Sequence, residues 1–247
     1  MTRPITQAVI LAAGEGRRLA PVTDTLPKPL VPFFGRPLID WALDKCLAAG
    51  VTRVAVNAFH LADALAAHLA KVAPRLPFAE LHLSREPALL GTGGAIAHLA
   101  PWLAPEPFYV LNADAVFAAP LDTLTDAPSL LVTREPAFAN ERRLVASNGA
   151  LTALDERSPA HGFTFCGVTL ADRDLPARLP QGAPSCLIRQ GFLPFLDRLP
   201  VHLVETTGFF ADTGTPESLV DAHHRGLAWA ADLRPPLSIT SRGISPG

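Results

Sequence analysis

The feature that most constrains this chain is the run Gln7-Ala8-Val9-Ile10-Leu11-Ala12, apolar after its first residue and followed at once by Gly14 and Gly16. An unbroken apolar run of that length, bounded by glycine, reads as a strand buried on both faces. Such a strand needs helices above and below it, and the sequence supplies them. Leu38 to Ala49 carries Leu38, Ile39, Ala42, Leu43, Cys46 and Leu47 on one side and stops at Gly50. Arg53–Ala58 reads as a second strand, Leu61–Val72 as an amphipathic helix and Ala79–Ser84 as a third strand. Gly94–Leu103 follows as a helix, then Phe108–Leu111 and Leu130–Thr133 as strands. Strands alternating with helices give parallel βαβ units, so the expected fold class is α/β with a mixed, mainly parallel sheet and helices on both faces. Ligands of such sheets bind at the carboxyl ends of the strands.

The second half is less regular. Leu151–Leu154, Phe163–Leu170, Val201–Glu205 and Gly208–Ala211 read as strands, and Ser185–Arg198 as a helix. A closing helix spans Glu217–Ala230, with Thr215 as its cap and Pro216 at its first position. The expectation is one domain over residues 1–230. Its first half reaches about residue 135, its second half covers about 136–230, and 231–247 form a mobile tail.

Composition limits the partners. The net charge is −2, so no global basic field favours nucleic acid or an anionic membrane surface. Cys46, Cys166 and Cys186 are too few and too scattered for a disulfide framework or a zinc knuckle, and each sits in an apolar run. The N-terminus shows no signal peptide and no stretch is long enough to span a bilayer. The expected protein is cytoplasmic and soluble, a monomer or small homo-oligomer. The eight histidines lack metal-protease spacing, and no G-x-S-x-G elbow is present, so hydrolase chemistry has no support.

Four segments carry chemistry. The first is Leu11-Ala12-Ala13-Gly14-Glu15-Gly16-Arg17-Arg18-Leu19-Ala20-Pro21, followed by Pro27-Lys28-Pro29-Leu30. Its glycines permit close backbone approach, successive N–H groups can form an anion nest, and Arg18 and Lys28 add positive charge. Lys28 is one of only three lysines and sits between prolines on a stiff loop. No Gly-Lys-Ser/Thr follows, so this is not a Walker loop, and the dinucleotide fingerprint lacks its third glycine. The second segment, Leu90-Gly91-Thr92-Gly93-Gly94-Ala95-Ile96, opens a helix and reads either as a ligand-facing turn or as a plain strand-to-helix turn. The third, Val110-Leu111-Asn112-Ala113-Asp114, puts an Asp at the end of a buried strand, where a hard cation could sit or where a turn could simply begin. The fourth is Phe210-Ala211-Asp212-Thr213-Gly214-Thr215-Pro216. Thr215 fills the helix-capping role there, which leaves Asp212 for another.

Taken in order, these segments resemble the sugar-1-phosphate nucleotidyltransferase family, whose signature reads G-x-G-T-R-L-x-P followed by P-K-P. The resemblance covers about Val9 to Ser218. It implies the Rossmann-like nucleotide-diphospho-sugar transferase fold and the joining of a nucleoside triphosphate to a sugar 1-phosphate with release of pyrophosphate. It implies that Arg18 and Lys28 hold the triphosphate and stabilise charge at the α-phosphate. Leu11, Ala12, Ala13, Gly14, Gly16 and Arg17 would bind the nucleotide, and Gly91, Thr92 and Gly93 would border base and ribose. Asp114 and Asp212 would hold Mg²⁺, and Gly167 in Phe163-Thr164-Phe165-Cys166-Gly167-Val168 would line the sugar pocket. Glu156-Arg157 stands where relatives place Glu-Lys, which puts Arg157 near the acceptor phosphate; a solvated loop is the other reading. Two positions depart from the pattern: Arg17 replaces Thr, and Ala113 replaces Gly before the Asp. Within the family, the length and the Ala12-Ala13-Gly14 run resemble the compact N-acetylmuramate-1-phosphate uridylyltransferases. The Leu90–Ile96 segment resembles the guanylyltransferases of heptose or mannose 1-phosphate. UTP is the favoured donor, GTP the alternative. A non-catalytic nucleotide-binding homologue is the competing reading of another class, and retention of Arg18, Lys28, Asp114 and Asp212 together argues against it.

Overall fold

The computed structural model describes residues 4–135, 143–155, 162–232, 237–240 and 243–246. From the N-terminus, β1 (Gln7–Leu11) leads into three single 3-10 turns, Arg17–Leu19, Val22–Asp24 and Lys28–Leu30. A small antiparallel pair, β2 (Pro32–Phe33) and β3 (Arg36–Pro37), comes next. It is followed by α1 (Leu38–Ala48), β4 (Arg53–Ala58), α2 (Ala62–Val72), β5 (Glu80–Arg85), α3 (Gly91–His98), β6 (Phe108–Asn112) and β7 (Val116–Phe117). The second half holds β8 (Ser129–Thr133), β9 (Arg143–Ser147), β10 (Ala150–Asp155), β11 (Thr164–Ala171), α4 (Leu175–Arg178) and α5 (Leu187–Gly191). It closes with β12 (His202–Glu205), β13 (Phe210–Ala211), α6 (Pro216–Asp232) and the antiparallel pair β14 (Leu237–Thr240) and β15 (Gly243–Pro246).

Among the described residues, nine strands form one sheet in the order β5-β4-β1-β6-β11-β8-β12-β10-β9. The first four are parallel; β11 then runs antiparallel to both β6 and β8, and β12 is parallel to β8. The sheet is therefore continuous across both halves of the chain and of the mixed, mainly parallel kind that the apolar runs call for. Core side chains lie on both of its faces. Ile10, Val54, Val56 and Leu111 pack with α1 and α2 on one side, while Val9, Phe108, Val110 and Leu130 pack with α3 and α5 on the other. Each such fully buried side chain contributes about 1.5–3 kcal/mol relative to exposure.

Local differences from the sequence reading have physical causes. α3 begins at Gly91, one turn before Gly94, because its glycine-rich first turn packs against the 183–186 segment rather than relying on helix propensity. The Ser185–Arg198 helix is divided into α5 and a 3-10 turn at Leu193–Phe195, where Pro194 has no N–H to continue the ladder. α6 begins as expected: Ser218 N donates to Thr215 Oγ1 at 3.1 Å and Thr215 N donates to Ser218 Oγ at 2.9 Å, a reciprocal cap over Pro216. Cys46 and Cys166 are buried and Cys186 half-buried. Burial pushes the Cys46 thiol up to about 12, so it stays protonated and acts as core. No helix among the described residues is long and apolar enough to cross a membrane.

Candidate active site

Strand register places the site. Leu11 pairs with Asn57 on one side and with Asn112 on the other, so the carboxyl ends of β1, β4 and β6 lie level. A cleft of about 220 Å³ opens over this row. Leu11, Ala12, Ala13 and Gly14 from the loop after β1 line it, together with Lys28, Gly91, Thr92, Asn112 and Asp114. Nothing lies within 4 Å of the place a Gly14 Cβ would take, so the folded chain itself has no need of glycine there. Gly16 is different. Its φ of +66° starts the Arg17–Leu19 turn, and a Cβ there would stand 2.8 Å from Thr23 Cγ2.

Lys28 and Asp114 meet in an ion pair, Nζ to Oδ2, with the lysine side chain only 12% exposed. Burial raises the Asp114 pKa, but the Lys28 charge, its hydrogen bond, a backbone hydrogen bond and the Arg18 guanidinium together outweigh it and hold the carboxyl below its usual range. The site therefore carries an ionised carboxylate at neutral pH.

Asp212 reaches the same place through two very short strands. β13 pairs antiparallel with β7, Ala211 opposite Val116, which sets the residue after β13 beside the residue before β7. Thr213 Oγ1 then donates to the Asp114 carbonyl at 2.9 Å and locks the two aspartate loops together. Asp212 Oδ1 accepts from Gly214 N at 2.8 Å, while Oδ2 is buried with no hydrogen-bond partner. A Cβ on Gly214 would lie 2.7 Å from Arg18 Nη2 and 2.8 Å from Asp212 Oδ1, so this glycine leaves room for the guanidinium beside the carboxylate. Arg18, Lys28, Asp114 and Asp212 thus form one cluster at the sheet edge. An orphaned carboxylate oxygen next to an ionised aspartate suits a hard cation. No group of three or more His, Cys, Asp or Glu side chains stands together among the described residues, so a cation held here would complete its shell with phosphate oxygens and water.

The remaining expected residues divide. Gly167, with φ +76°, lies against Asn112 Cβ at 3.2 Å and Ala115 Cβ at 3.0 Å by its would-be Cβ, which fixes β11 close to the Asp114 loop. Arg17 is 83% exposed by side chain and paired with Glu15 at 2.6 Å, and it is not among the residues that line the cleft. Gly93 is buried and does not line the cleft; its Cβ position is 2.6 Å from Ser185 Oγ and 2.9 Å from Leu179 Cδ2. Its glycine is required by packing within the chain. Arg157 lies outside the described residues.

Sequence reasoning missed Asn57, Asn112 and Thr213. Asn112 ends Phe108–Asn112 and Asn57 is next to last in Arg53–Ala58, so the rule that ligands bind at strand carboxyl ends would have found them. Thr213 gave no signal besides standing next to Asp212.

A family model described as nucleotidyl transferase matches residues 7–129. The N-acetylmuramate alpha-1-phosphate uridylyltransferase of Neisseria meningitidis serogroup B is 38% identical over 241 residues, which cover 90% of this chain and 99% of that protein. Mannose-1-phosphate guanyltransferase beta-B of Xenopus laevis is 34% identical over 232 residues, 87% of this chain but 62% of that protein. A solved structure of apo UDP-glucose pyrophosphorylase superposes with a TM-score of 0.76 at 17% identity, covering 92% of this chain and 99% of that one, which supports the fold. With the end-to-end likeness to a relative of this class and the strand-edge cluster of two basic and two acidic residues, the chain belongs to the sugar-1-phosphate nucleotidyltransferases, a family of the nucleotidyl transferases.

Proposed function

We propose that the chain joins UTP to N-acetylmuramate 1-phosphate, giving UDP-N-acetylmuramate and pyrophosphate with Mg²⁺ as cofactor. The observation that carries this reading is the likeness to the Neisseria uridylyltransferase, which spans 99% of that protein, against 62% for the guanylyl relative. Residues up to about 135 take the nucleotide, and residues 136–230 take the acceptor and supply Asp212.

The acceptor is a phosphate dianion and already a nucleophile, so the chemistry calls for no general base. The obstacle is repulsion between two polyanions. Lys28 at present neutralises Asp114; an arriving triphosphate offers it a stronger partner, and Lys28 turns from the carboxylate to phosphate oxygen. Arg18, held over Gly214, adds a second cation where charge develops on the α-phosphate. Asp114 and Asp212 would hold the cation, which, when bound, screens the phosphates and draws charge from the leaving pyrophosphate. Gly14 and Ala13 let the nucleotide approach the protein backbone at the end of β1. The residues thereby orient an in-line displacement with no covalent enzyme intermediate.

Base choice is tested by competition. With all four nucleoside triphosphates at equal concentration and N-acetylmuramate 1-phosphate as acceptor, UTP exceeds GTP in kcat/KM by at least about tenfold, the scale that a single unpaired polar group provides. A GDP-sugar as main product with mannose or heptose 1-phosphate would replace this reading with the guanylyl one.

A further inference from the structure

β7 and β13 are two residues each, yet their pairing sets the Asp114 loop beside the Asp212 loop. A strand pair this short has no stability of its own in water, so its place depends on what grips it from outside. On β13 the grip comes from α6, where Arg225 Nη2 donates to the Phe210 carbonyl at 2.8 Å. On the β7 side it comes from α1. Lys45 Nζ donates to the Ala118 carbonyl at 2.7 Å and to the Ala119 carbonyl at 3.0 Å, and it stands 4.9 Å from the centre of the Phe117 ring. Ala118 N in turn donates to the Phe209 carbonyl at 2.7 Å, one step beyond the paired residues. Ala118 therefore carries the Lys45 grip from one strand across to the other.

Lys45 is an unusual group for packing alone. Burial lowers its ammonium pKa to about 8, and no carboxylate offsets that burial among the described residues. At neutral pH it is charged and aimed at two carbonyl oxygens and a ring face, all of which favour a cation. An apolar side chain would fill the same space with less desolvation. Lys45 does not line the cleft. Without its ammonium the 118–119 carbonyls lose their donor, and the segment turns toward water to satisfy them, drawing Ala118 N away from Phe209.

We propose that Lys45 is a positioning residue for the cation site: by gripping residues 118–119 from α1, it holds β7 against β13 and so Asp212 against Asp114. The proposal rests on the nucleotidyltransferase reading of the cluster and adds a residue that touches neither substrate nor cation. Carboxylates already set at a fixed separation bind a hard cation more tightly than carboxylates it must gather. Loss of the grip therefore weakens cation binding, and a high cation concentration offsets the loss.

Lys45→Met tests it, since it removes the ammonium and keeps an apolar stem over Phe117. The first readout needs no turnover: deuterium uptake by the peptides that carry Ala118 and Phe210 to Asp212, with those of β1 and β4 as reference. Exchange in the first set quickens by at least about fivefold while β1 and β4 stay within about twofold. The second readout is pyrophosphate release titrated with Mg²⁺ at saturating UTP and sugar 1-phosphate. The half-saturating Mg²⁺ concentration rises by at least about fivefold, whereas kcat and the UTP KM at saturating Mg²⁺ stay within about threefold of wild type. A role in stability alone would lower the melting temperature and leave the Mg²⁺ requirement where it was. Lys45→Arg offers two N–H groups to the same two carbonyls and returns the requirement to within about threefold of wild type. An unchanged Mg²⁺ requirement in Lys45→Met, exchange that quickens equally in β1 and β4, or an Arg variant as impaired as the Met one overturns the proposal. Where Lys45→Met does not fold, Lys45→Gln takes its place, with one amide for two carbonyls and the same direction expected in both readouts. If neither folds, Lys45 serves the fold alone and the proposal is overturned. Failure of the nucleotidyltransferase reading shows separately, as a wild-type protein that turns over no sugar 1-phosphate, and leaves the exchange readout standing.

Discussion

Gly14 and Gly93 sit in glycine-rich segments that look alike in the sequence, and the two glycines do opposite things in the fold. Gly14, after β1, faces the cleft with nothing near its Cβ position. Gly93 and Gly94, in the first turn of α3, face their own chain, with Ser185 Oγ and the Ala183 carbonyl at 2.6 and 2.8 Å from the Cβ positions. Gly91 stands between these cases: it borders the cleft, yet its φ of +70° and the Ser185 carbonyl at 2.6 Å already demand glycine. A glycine signature therefore marks close approach without saying what approaches. At Gly14 it is open space for a ligand; at Gly93 and Gly94 it is a neighbouring loop.

That contrast can be broken by substitution. The largest effect belongs to the cation that the first segment carries into the cluster. Arg18→Ala lowers kcat and kcat/KM together by at least about a hundredfold with an unchanged melting temperature, the mark of a contact made as charge develops. A change in KM alone would make Arg18 a ground-state binder. The glycines come next. Gly93→Val forces a branched side chain into Ser185 and Leu179 and lowers unfolding free energy by about 2–3 kcal/mol in a denaturant melt. If instead the variant melts like wild type and only its triphosphate KM rises, Gly93 faces nucleotide after all. The smallest effect is that of Gly14→Ala. The fold has room for the methyl group and gains about 0.4–1 kcal/mol from the stiffer unfolded chain, while the triphosphate KM rises a few-fold. A loss of stability at this position would erase the distinction between the two turns.

What the sequence disclosed follows the same line. β1, β4 and β6 were legible because a strand buried on both faces leaves a continuous apolar run, and Asp114 was legible because it ends one. The motif singled out Asp212, but its route to the site gave no signal. β7 and β13 are two residues each, too short for any periodicity, yet their pairing is what brings the second aspartate to the first. The early start of α3 was hidden because glycine is a poor helix former and the turn is held by tertiary contact with 183–186.

The central claim is that Asp114 and Asp212 act as one cation-holding pair beside Lys28 and Arg18. The direct measurement is pyrophosphate release by Asp212→Asn, titrated with Mg²⁺ from limiting to saturating concentration, with a thermal melt run alongside. Asn keeps the Oδ1 contact to Gly214 N and removes the charge from the orphaned oxygen. The account predicts a folded protein whose kcat falls by at least about a hundredfold and whose Mg²⁺ requirement moves to higher concentration. Near-wild-type turnover at limiting Mg²⁺ would contradict it.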